Sequence, residues 1–294
     1  MASNPLSRRQ LLHGAASLGL SRNAIAGEPF EVRDVVVAGS LATGRRFTLL
    51  VPRHTTGPVP LVVAFHGKGE TIDETLGVRA WLDRYGLAST YARLLTPPVL
   101  ALDKKLTHWT AARVAEVNAE LLRRPFGGVA VACPFTPDVF NVGGRRTFLD
   151  DYARWVTEEV VPRARRETAI LEGATHVGVD GVSLGGFVSL EVFLRRPEHF
   201  GAFGSVQGAL GGVGAARYAR ALAAALERVG PRRLHLETSL GDVYRADTEA
   251  LSRALTKLAV GHDFIAPPGG HNQPFLRDSG TLEMLLWHDR ALRS

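Results

Sequence analysis

Ser183 is the residue whose surroundings point most clearly to covalent chemistry. It lies at the centre of the sequence Gly-Val-Ser-Leu-Gly, residues 181–185, after a short apolar run that is rich in valine. A segment with helical spacing, residues 187–195, follows it. This order predicts a strand, a tight turn and a helix, with the serine at the tip of the turn. Glycines flank the serine because a turn this tight leaves no room for Cβ atoms. The pattern therefore favours a nucleophilic serine over a chance match in a glycine-rich loop.

A serine hydroxyl is a weak nucleophile, so it needs a base and a third group that orients the base. In hydrolases built around such a turn, the acid and the histidine follow the serine in chain order. His271 fits the base, because it follows a predicted strand, residues 262–266, and a Pro-Pro-Gly-Gly loop. Asp242 fits the acid, because it follows the predicted strand at 234–240. Asp247 is the alternative acid, although its place at the start of a helix favours a capping or dipole role.

These three residues have distinct expected roles. His271 takes the proton of Ser183 as general base and later returns it to the leaving alcohol. Asp242 holds the imidazole in the required tautomer and stabilises the imidazolium. The sequence thus predicts a Ser183–His271–Asp242 triad with no metal ligand and no cofactor among its members.

The tetrahedral intermediate of acyl transfer also requires backbone N–H groups that stabilise its oxyanion. One donor is expected from Leu184, the residue after the nucleophile. The second is expected from the loop after the apolar run 61–65, where Gly67 and Lys68 follow His66. Lys68 is expected to contribute its backbone, with its side chain in solvent.

The segments that must position these residues alternate between apolar runs and amphipathic stretches. Such alternation predicts an α/β protein with parallel strands and right-handed crossovers, preceded by an antiparallel hairpin that turns at residues 42–44. With no internal repeat or linker, residues 27–294 form one predicted domain. Strands are predicted at 31–40, 45–52, 61–65, 127–135, 177–181, 200–206, 234–240 and 262–266, and helices at 79–95, 111–122, 148–160, 187–195, 215–229, 248–258 and 281–292.

Composition excludes several other classes of protein. The net charge is +6, but only four of the 35 basic residues are lysines and the arginines are scattered, so a nucleic-acid partner is not expected. The single cysteine, Cys133, allows no intramolecular disulfide and no cysteine-rich metal site. No apolar run approaches the ~20 residues needed to span a bilayer. The glycine run at 208–214 lacks the spacing of a dinucleotide-binding loop, so no cofactor is expected.

The first 26 residues resemble a twin-arginine export signal. Arg8 and Arg9 precede a modestly apolar stretch at 11–20, and Ala-Ile-Ala at 24–26 fits a small-residue cleavage site. The alternative is a disordered cytoplasmic leader. Export to the periplasm or the cell exterior is the expectation.

Beyond the triad, the chain resembles the esterase D-like branch of the α/β-hydrolases. The resemblance lies in the turn around Ser183, the His66-Gly67 pair, residues 158–162 and the Pro-Gly-Gly-His sequence that ends at His271. That branch includes feruloyl and acetyl xylan esterases, S-formylglutathione hydrolases, polyhydroxybutyrate depolymerase-like proteins and mycolyltransferases. The resemblance runs from about residue 61 to the C-terminus. It implies the α/β-hydrolase fold: a mostly parallel sheet of about eight strands with an antiparallel start and helices on both faces, and a helix kinked at Pro162.

Residues 95–126 have no counterpart in this pattern and are a candidate insertion that shapes the substrate pocket. Trp109 is a candidate pocket residue within it, with His108 beside it, and plain packing is the alternative role for both. His66 and Gln207 are the other candidate pocket residues.

The leading interpretation is a serine carboxylic-ester hydrolase that works through an acyl-enzyme on a small-molecule or polymer-linked ester. Acyl transfer to an alcohol or sugar by the same triad is the alternative. A non-catalytic binding protein on an inherited hydrolase fold is a third interpretation, and the intact serine, acid and histidine argue against it.

Overall fold

Eight strands form one sheet in the computed structural model, which describes residues 28–40, 42–101 and 108–293. The predicted export signal lies outside the described residues. In chain order the strands are β1 (Phe30–Ser40), β2 (Gly44–Pro52), β3 (Leu61–Phe65), β4 (Ala130–Pro134), β5 (Val177–Gly181), β6 (Ala202–Val206), β7 (Arg233–Glu237) and β8 (Asp263–Ile265). Their spatial order is β1-β2-β4-β3-β5-β6-β7-β8. The β1–β2 and β2–β4 pairs are antiparallel and the other five pairs are parallel. The predicted α/β class and the antiparallel start are confirmed.

From β3 onward, helices alternate with the strands. They are α1 (Glu74–Asp83), α2 (Leu87–Leu95), α3 (Ala111–Arg123), α4 (Arg145–Trp155), α5 (Val161–Glu167), α6 (Leu184–Arg195), α7 (Ala215–Val229), α8 (Arg245–Lys257), α9 (Gln273–Phe275) and α10 (Thr281–Ala291). Single 3₁₀ turns include Lys68–Glu70, and π-helical turns lie at Val156–Val160 and Leu276–Gly280.

Strand β3 shows why its sequence is apolar at every position. Leu61, Val63 and Phe65 belong to one hydrophobic cluster, and Val62 and Ala64 belong to another on the opposite face of the sheet. Helices α4, α6, α7 and α8 pack into the first cluster, and α1, α2, α3 and α10 pack into the second. A strand covered on both faces has no polar side, so its run is continuous rather than alternating. The predicted helices on both faces are confirmed.

The single helix predicted at 79–95 is in fact two. Helix α1 begins earlier, where the Asp73 side chain accepts a hydrogen bond from the Leu76 N–H at 2.8 Å. It ends before Gly86, whose φ of 76° is left-handed and incompatible with a continuing helix. A Cβ at this glycine would lie 2.9 Å from the Cγ of Arg277. The break therefore depends on a distant contact that helical periodicity does not reveal.

Pro162 deforms its helix without ending it. Helix α4 continues through the π-helical turn Val156–Val160 into α5, which carries the proline in its first turn. In that turn the N–H of Val161 donates to the carbonyl of Val156, five residues earlier. The wider turn accommodates a ring that would otherwise clash with the preceding turn of an α-helix.

A buried pair of ionisable side chains joins β5 to α10. Asp180 Oδ2 lies 2.9 Å from His288 Nε2, and both side chains are fully buried. The Gly181 N–H also donates to Asp180 Oδ1 at 2.7 Å. Burial raises the pKa of Asp180, while the hydrogen bonds from His288 and Gly181 oppose that rise. Because Asp180 is three residues before Ser183, this pair anchors the strand that presents the serine.

Candidate active site

The structure brings the three predicted triad residues together. Ser183 lies at the turn between β5 and α6, Asp242 follows β7, and His271 follows β8. His271 Nε2 is 3.0 Å from Ser183 Oγ, and His271 Nδ1 is 2.8 Å from Asp242 Oδ1. All three lie beyond the carboxyl ends of parallel strands, the edge at which ligands bind in open α/β sheets.

The backbone of Ser183 is held in a conformation that an isolated chain avoids. Its φ of 57° and ψ of −115° lie outside the common regions for a residue with a Cβ, which costs of the order of 1–3 kcal/mol. Two close approaches enforce the turn. A Cβ at Gly181 would lie 2.3 Å from the Gly185 carbonyl oxygen, and one at Gly185 would lie 2.2 Å from the carbonyl oxygen of Phe65. The flanking glycines are therefore required by contact.

Asp242 is buried and accepts hydrogen bonds from three groups. Besides His271, they are the hydroxyl of Thr238 at 2.7 Å and the backbone N–H of Tyr244 at 3.0 Å. Burial by itself would raise the pKa of Asp242, but these hydrogen bonds outweigh it and hold the pKa below its usual value. The carboxylate is therefore ionised at neutral pH and able to balance a positive imidazolium.

The loop that carries His271 is tied to the loop that carries the acid. The Leu240 N–H donates to the Pro267 carbonyl at 2.9 Å, and the Gly241 N–H donates to the Gly269 carbonyl at 2.7 Å. The ring of Tyr244 stands edge-on to the imidazole, with 5.2 Å between ring centres. With Nδ1–H donated to the carboxylate, Nε2 is the acceptor that faces the serine hydroxyl.

Asp247, the alternative acid, lies in the first turn of α8. Its backbone N–H donates to the Tyr244 carbonyl at 3.1 Å, and its carboxylate lies beside Gly212. The carboxylate that contacts His271 belongs to Asp242.

Two of the three predicted oxyanion donors lie at the start of a helical turn. Leu184 is the first residue of α6, and Lys68 is the first residue of a 3₁₀ turn. The first N–H groups of a helical turn have no acceptor within it. Gly67 differs from the expectation, because its N–H points to Tyr85 Oη at 3.2 Å, and that hydroxyl in turn donates to the buried Glu70. Of the two donors predicted from this loop, the Gly67 N–H therefore already has an acceptor, and the Lys68 N–H stays a predicted donor.

A cavity of about 280 Å³ opens beside the serine. Glu70 and Tyr85 line it together with the 3₁₀ turn, and neither was singled out from the sequence. In the sequence, Glu70 could have been noticed as an acid three residues after Gly67, whereas nothing in the local sequence points to Tyr85. Gln207, a predicted pocket residue, lines the cavity. The lining also includes Ser183, His271, Asn272 and Leu276.

The structure does not place His66 at the cavity. The side chain is fully buried, its Nδ1 lies 2.9 Å from the Gly67 carbonyl, and its Nε2 accepts from the Thr136 N–H at 2.8 Å. Burial lowers the pKa of His66 to about 4, so the ring is neutral at physiological pH. Both ring nitrogens are used to fix the loop after β3, which makes His66 a structural residue of that loop.

Trp109 and His108 also pack away from the cavity. Trp109 Nε1 donates to the Asp278 carbonyl at 3.0 Å, and His108 Nδ1 lies 3.1 Å from Asp278 Oδ2. Within the described residues of segment 95–126, none lines the cavity, and helix α3 packs on α10 through an ion pair of Arg113 with Glu283. Packing is therefore the observed role of Trp109 and His108.

Two kinds of arrangement are not found in the part of the chain that the structure describes. Across 28–40, 42–101 and 108–293, no group of three or more histidine, cysteine, aspartate or glutamate residues is arranged to hold a metal ion. Over those same ranges, no helix combines the length and apolarity that a bilayer crossing requires.

Comparison with known proteins identifies the fold. No protein-family model and no curated protein sequence matches the chain. Among solved structures, a ferulic acid esterase aligns over 89% of this chain and 99% of its own, with a TM-score of 0.64 and 12% identity. A feruloyl esterase module from Clostridium thermocellum, complexed with sinapinate, aligns over 90% and 89% with a TM-score of 0.63 and 12% identity. The S-formylglutathione hydrolase of Staphylococcus aureus aligns over 90% and 100% with a TM-score of 0.57 and 13% identity.

The chain therefore has the α/β-hydrolase fold, as the resemblance implied. The aligned structures are of the kinds named for the esterase D-like branch, feruloyl esterase and S-formylglutathione hydrolase. At this level of identity the likeness establishes the fold, and the activity must be argued from the site.

Proposed function

We propose that this protein is a serine hydrolase that cleaves carboxylic esters through an acyl-enzyme. The observation that carries the proposal is the continuous hydrogen-bonded chain from Asp242 through His271 to Ser183, at 2.8 and 3.0 Å. Nucleophile, base and orienting acid within hydrogen-bond reach are the signature of an activated serine. The aligned structures named above are those of esterases and hydrolases, which supports ester hydrolysis.

The first half-reaction forms the acyl-enzyme. Ser183 Oγ attacks the carbonyl carbon of the ester, and its proton passes to His271 Nε2. Asp242 stabilises the resulting imidazolium. The tetrahedral intermediate collapses when the bond from carbon to the alcohol oxygen breaks, and the imidazolium protonates the departing alcohol.

The second half-reaction releases the acid. A water molecule gives its proton to His271 Nε2 and attacks the acyl carbon, and the bond to Ser183 Oγ breaks as the serine recovers a proton. In both halves the negative oxygen is stabilised by the N–H groups of Leu184 and Lys68. Each such donor is worth roughly 3–4 kcal/mol in acyl-transfer enzymes.

The cavity limits the size of the group that binds next to Ser183. Its volume of about 280 Å³ is just below the usual range for small-molecule pockets. A small acyl or alcohol group fits inside, and a larger remainder would extend into solvent. This supports a small ester, or a small ester group attached to a larger molecule, as the substrate.

The two other interpretations of the sequence are less well supported. The aligned structures named above are hydrolases or esterases, and no contact in the described part of the chain favours an alcohol acceptor over water. A binding protein would not require the alignment of Asp242, His271 and Ser183.

The first prediction tests the proposed function directly. The wild-type protein should release p-nitrophenol from p-nitrophenyl acetate and butyrate, and turnover should fall with longer acyl chains that exceed the cavity. A fluorophosphonate should label one serine per molecule, because only an activated serine reacts with this electrophile, and peptide mass spectrometry should locate the label at Ser183. Heat-denatured protein is the control. If the folded protein neither hydrolyses these esters nor reacts with the probe, the proposed function is wrong.

For localisation, we propose that residues 1–26 direct export through a twin-arginine pathway. The support is the Arg8-Arg9 pair before a modestly apolar stretch, with a small-residue site before Gly27. A fusion of residues 1–40 to a folded fluorescent reporter should reach the bacterial periplasm. The same fusion with both arginines changed to lysine should stay in the cytoplasm, since the signal depends on the arginine pair. Retention of the unmodified fusion in the cytoplasm would refute export.

A further inference from the structure

Gln207 occupies an unusual position beside the candidate triad. It follows β6 directly, and its backbone N–H donates to the Glu237 carbonyl at 2.7 Å. Its φ of 48° is left-handed, which is uncommon for a residue with a long side chain. Only 1% of the residue is exposed. The strained backbone and the burial together fix one side-chain position next to the site.

The contacts of the carboxamide determine which way it faces. Gln207 Nε2 lies 3.0 Å from the carbonyl oxygen of Gly270 and 2.7 Å from Ser239 Oγ. A carbonyl oxygen only accepts hydrogen bonds, so the atom that faces Gly270 must be the NH₂ group. The loop residue that it holds immediately precedes His271. One half of the carboxamide therefore positions the catalytic base.

The other half of the carboxamide, its carbonyl oxygen, accepts no hydrogen bond within the part of the chain that the structure describes. Gln207 Oε1 is buried and has no hydrogen-bond partner among the described residues. Gln207 lines the same cavity as Ser183 and His271. Buried carbonyl groups in native proteins nearly always have a donor, and the cavity that Gln207 lines is the space from which a substrate would supply one.

We propose that Gln207 is a specificity-determining residue whose Oε1 accepts a hydrogen bond from a hydroxyl group of the substrate, close to the scissile ester. This deepens the proposed ester hydrolysis and rests on it. The substrate class that follows is a hydroxylated ester, with the hydroxyl on either the acyl or the alcohol side. A substrate that lacks the hydroxyl leaves the buried acceptor unsatisfied, and sites of that kind discriminate against such analogues.

Two matched pairs of esters show whether the hydroxyl belongs to the acyl side or to the alcohol side of the substrate. Methyl β-hydroxybutyrate and methyl isovalerate differ by a hydroxyl against a methyl group in the acyl chain. Hydroxyethyl butyrate and propyl butyrate differ in the same way in the alcohol. For one of the pairs, the wild-type kcat/KM should favour the hydroxylated member by about 10- to 100-fold, the effect of leaving one buried acceptor without a donor. Equal kcat/KM values within both pairs would overturn the proposal, while hydrolysis of the esters themselves would leave the proposed function standing.

Variants of Gln207 separate recognition from positioning. Gln207→Leu and Gln207→Met remove the acceptor at similar volume. Either variant should therefore hydrolyse the hydroxylated and the methyl member of a pair with nearly equal kcat/KM. Ser239→Ala, the matched control, removes a partner of Nε2 and leaves Oε1 in place. It should lower kcat for both members of a pair alike and keep their ratio. Circular dichroism identifies which leucine or methionine variant is folded for the comparison. A folded variant that retains the wild-type ratio would show that Gln207 only supports the loop.

Discussion

Replacement of Ser183 by alanine is expected to lower kcat for p-nitrophenyl butyrate by roughly 10⁶-fold, the size of loss seen when a triad loses its nucleophile. The variant retains the N–H groups of Leu184 and Lys68 and the imidazole of His271, but it has no oxygen to form the acyl-enzyme. Slow residual hydrolysis above the uncatalysed rate should remain, because the oxyanion donors and the binding cavity still act on a water nucleophile.

The same variant should also lose its reaction with fluorophosphonate while it remains folded. Alanine can be held in the Ser183 backbone conformation by the same contacts, so the thermal unfolding midpoint should stay close to the wild-type value. Ser252→Ala is a suitable control, because Ser252 lies on α8 and contacts His262 at 2.8 Å, away from the triad. It should hydrolyse the ester at nearly the wild-type rate. Equal hydrolysis by wild type and Ser183→Ala would reject the acyl-enzyme mechanism.

The buried parts of the fold could be predicted from the sequence because their signal is local. Strand β3 and helix α7 occupy the residues predicted for them, 61–65 and 215–229. An apolar run bounded by Pro60 and His66 has few alternatives to a buried strand. The alanine- and leucine-rich face of α7 likewise has helical spacing over four turns.

Boundaries that depend on distant contacts were predicted less well. The strand expected at 127–135 begins only at Ala130, since Gly128 has a left-handed φ of 85°. The strand expected at 234–240 ends at Glu237, so Asp242 is five residues beyond the strand rather than two. The loop from Glu237 to Asp242 is shaped by its hydrogen bonds to the loop that carries His271. These hydrogen bonds have no signature in the local sequence.

The candidate site likewise has features with a signal in the sequence and features that depend on distant contacts. The order of Ser183, Asp242 and His271 along the chain predicted which residues the structure brings together. The state of the Gly67 N–H was not predictable, because its acceptor, Tyr85, is 18 residues away and lies beyond α1. The position of His66 away from the cavity also depends on a distant partner, since its ring turns inward to Thr136.

The second large effect on kcat is expected from the variant that tests whether Asp242 or Asp247 is the acid of the triad. Asp242→Asn should lower kcat by about 10⁴-fold, because an amide cannot balance the imidazolium charge and offers a donor where only acceptors are needed. The Tyr244 N–H and the His271 Nδ1–H both point at Oδ1, so an amide nitrogen placed there would face two donors, whereas the Thr238 hydroxyl at Oδ2 can rotate to accept from it. Asp247→Asn should leave kcat near the wild-type value, since its loss weakens only an interaction with the start of α8.

The stability of these variants depends on pH in a way that checks the same assignment. Burial alone would raise the pKa of Asp242, but its hydrogen bonds hold the pKa below the usual value. A carboxylate with a depressed folded-state pKa stabilises the fold above its unfolded-state pKa, and this contribution is lost as the pH falls through the folded value. Asp242→Asn should therefore unfold more easily than wild type at neutral pH, and the difference should shrink in acid. If Asp247→Asn instead showed the large loss of kcat, the acid of the triad would be Asp247, and the contact of Asp242 with His271 would be structural.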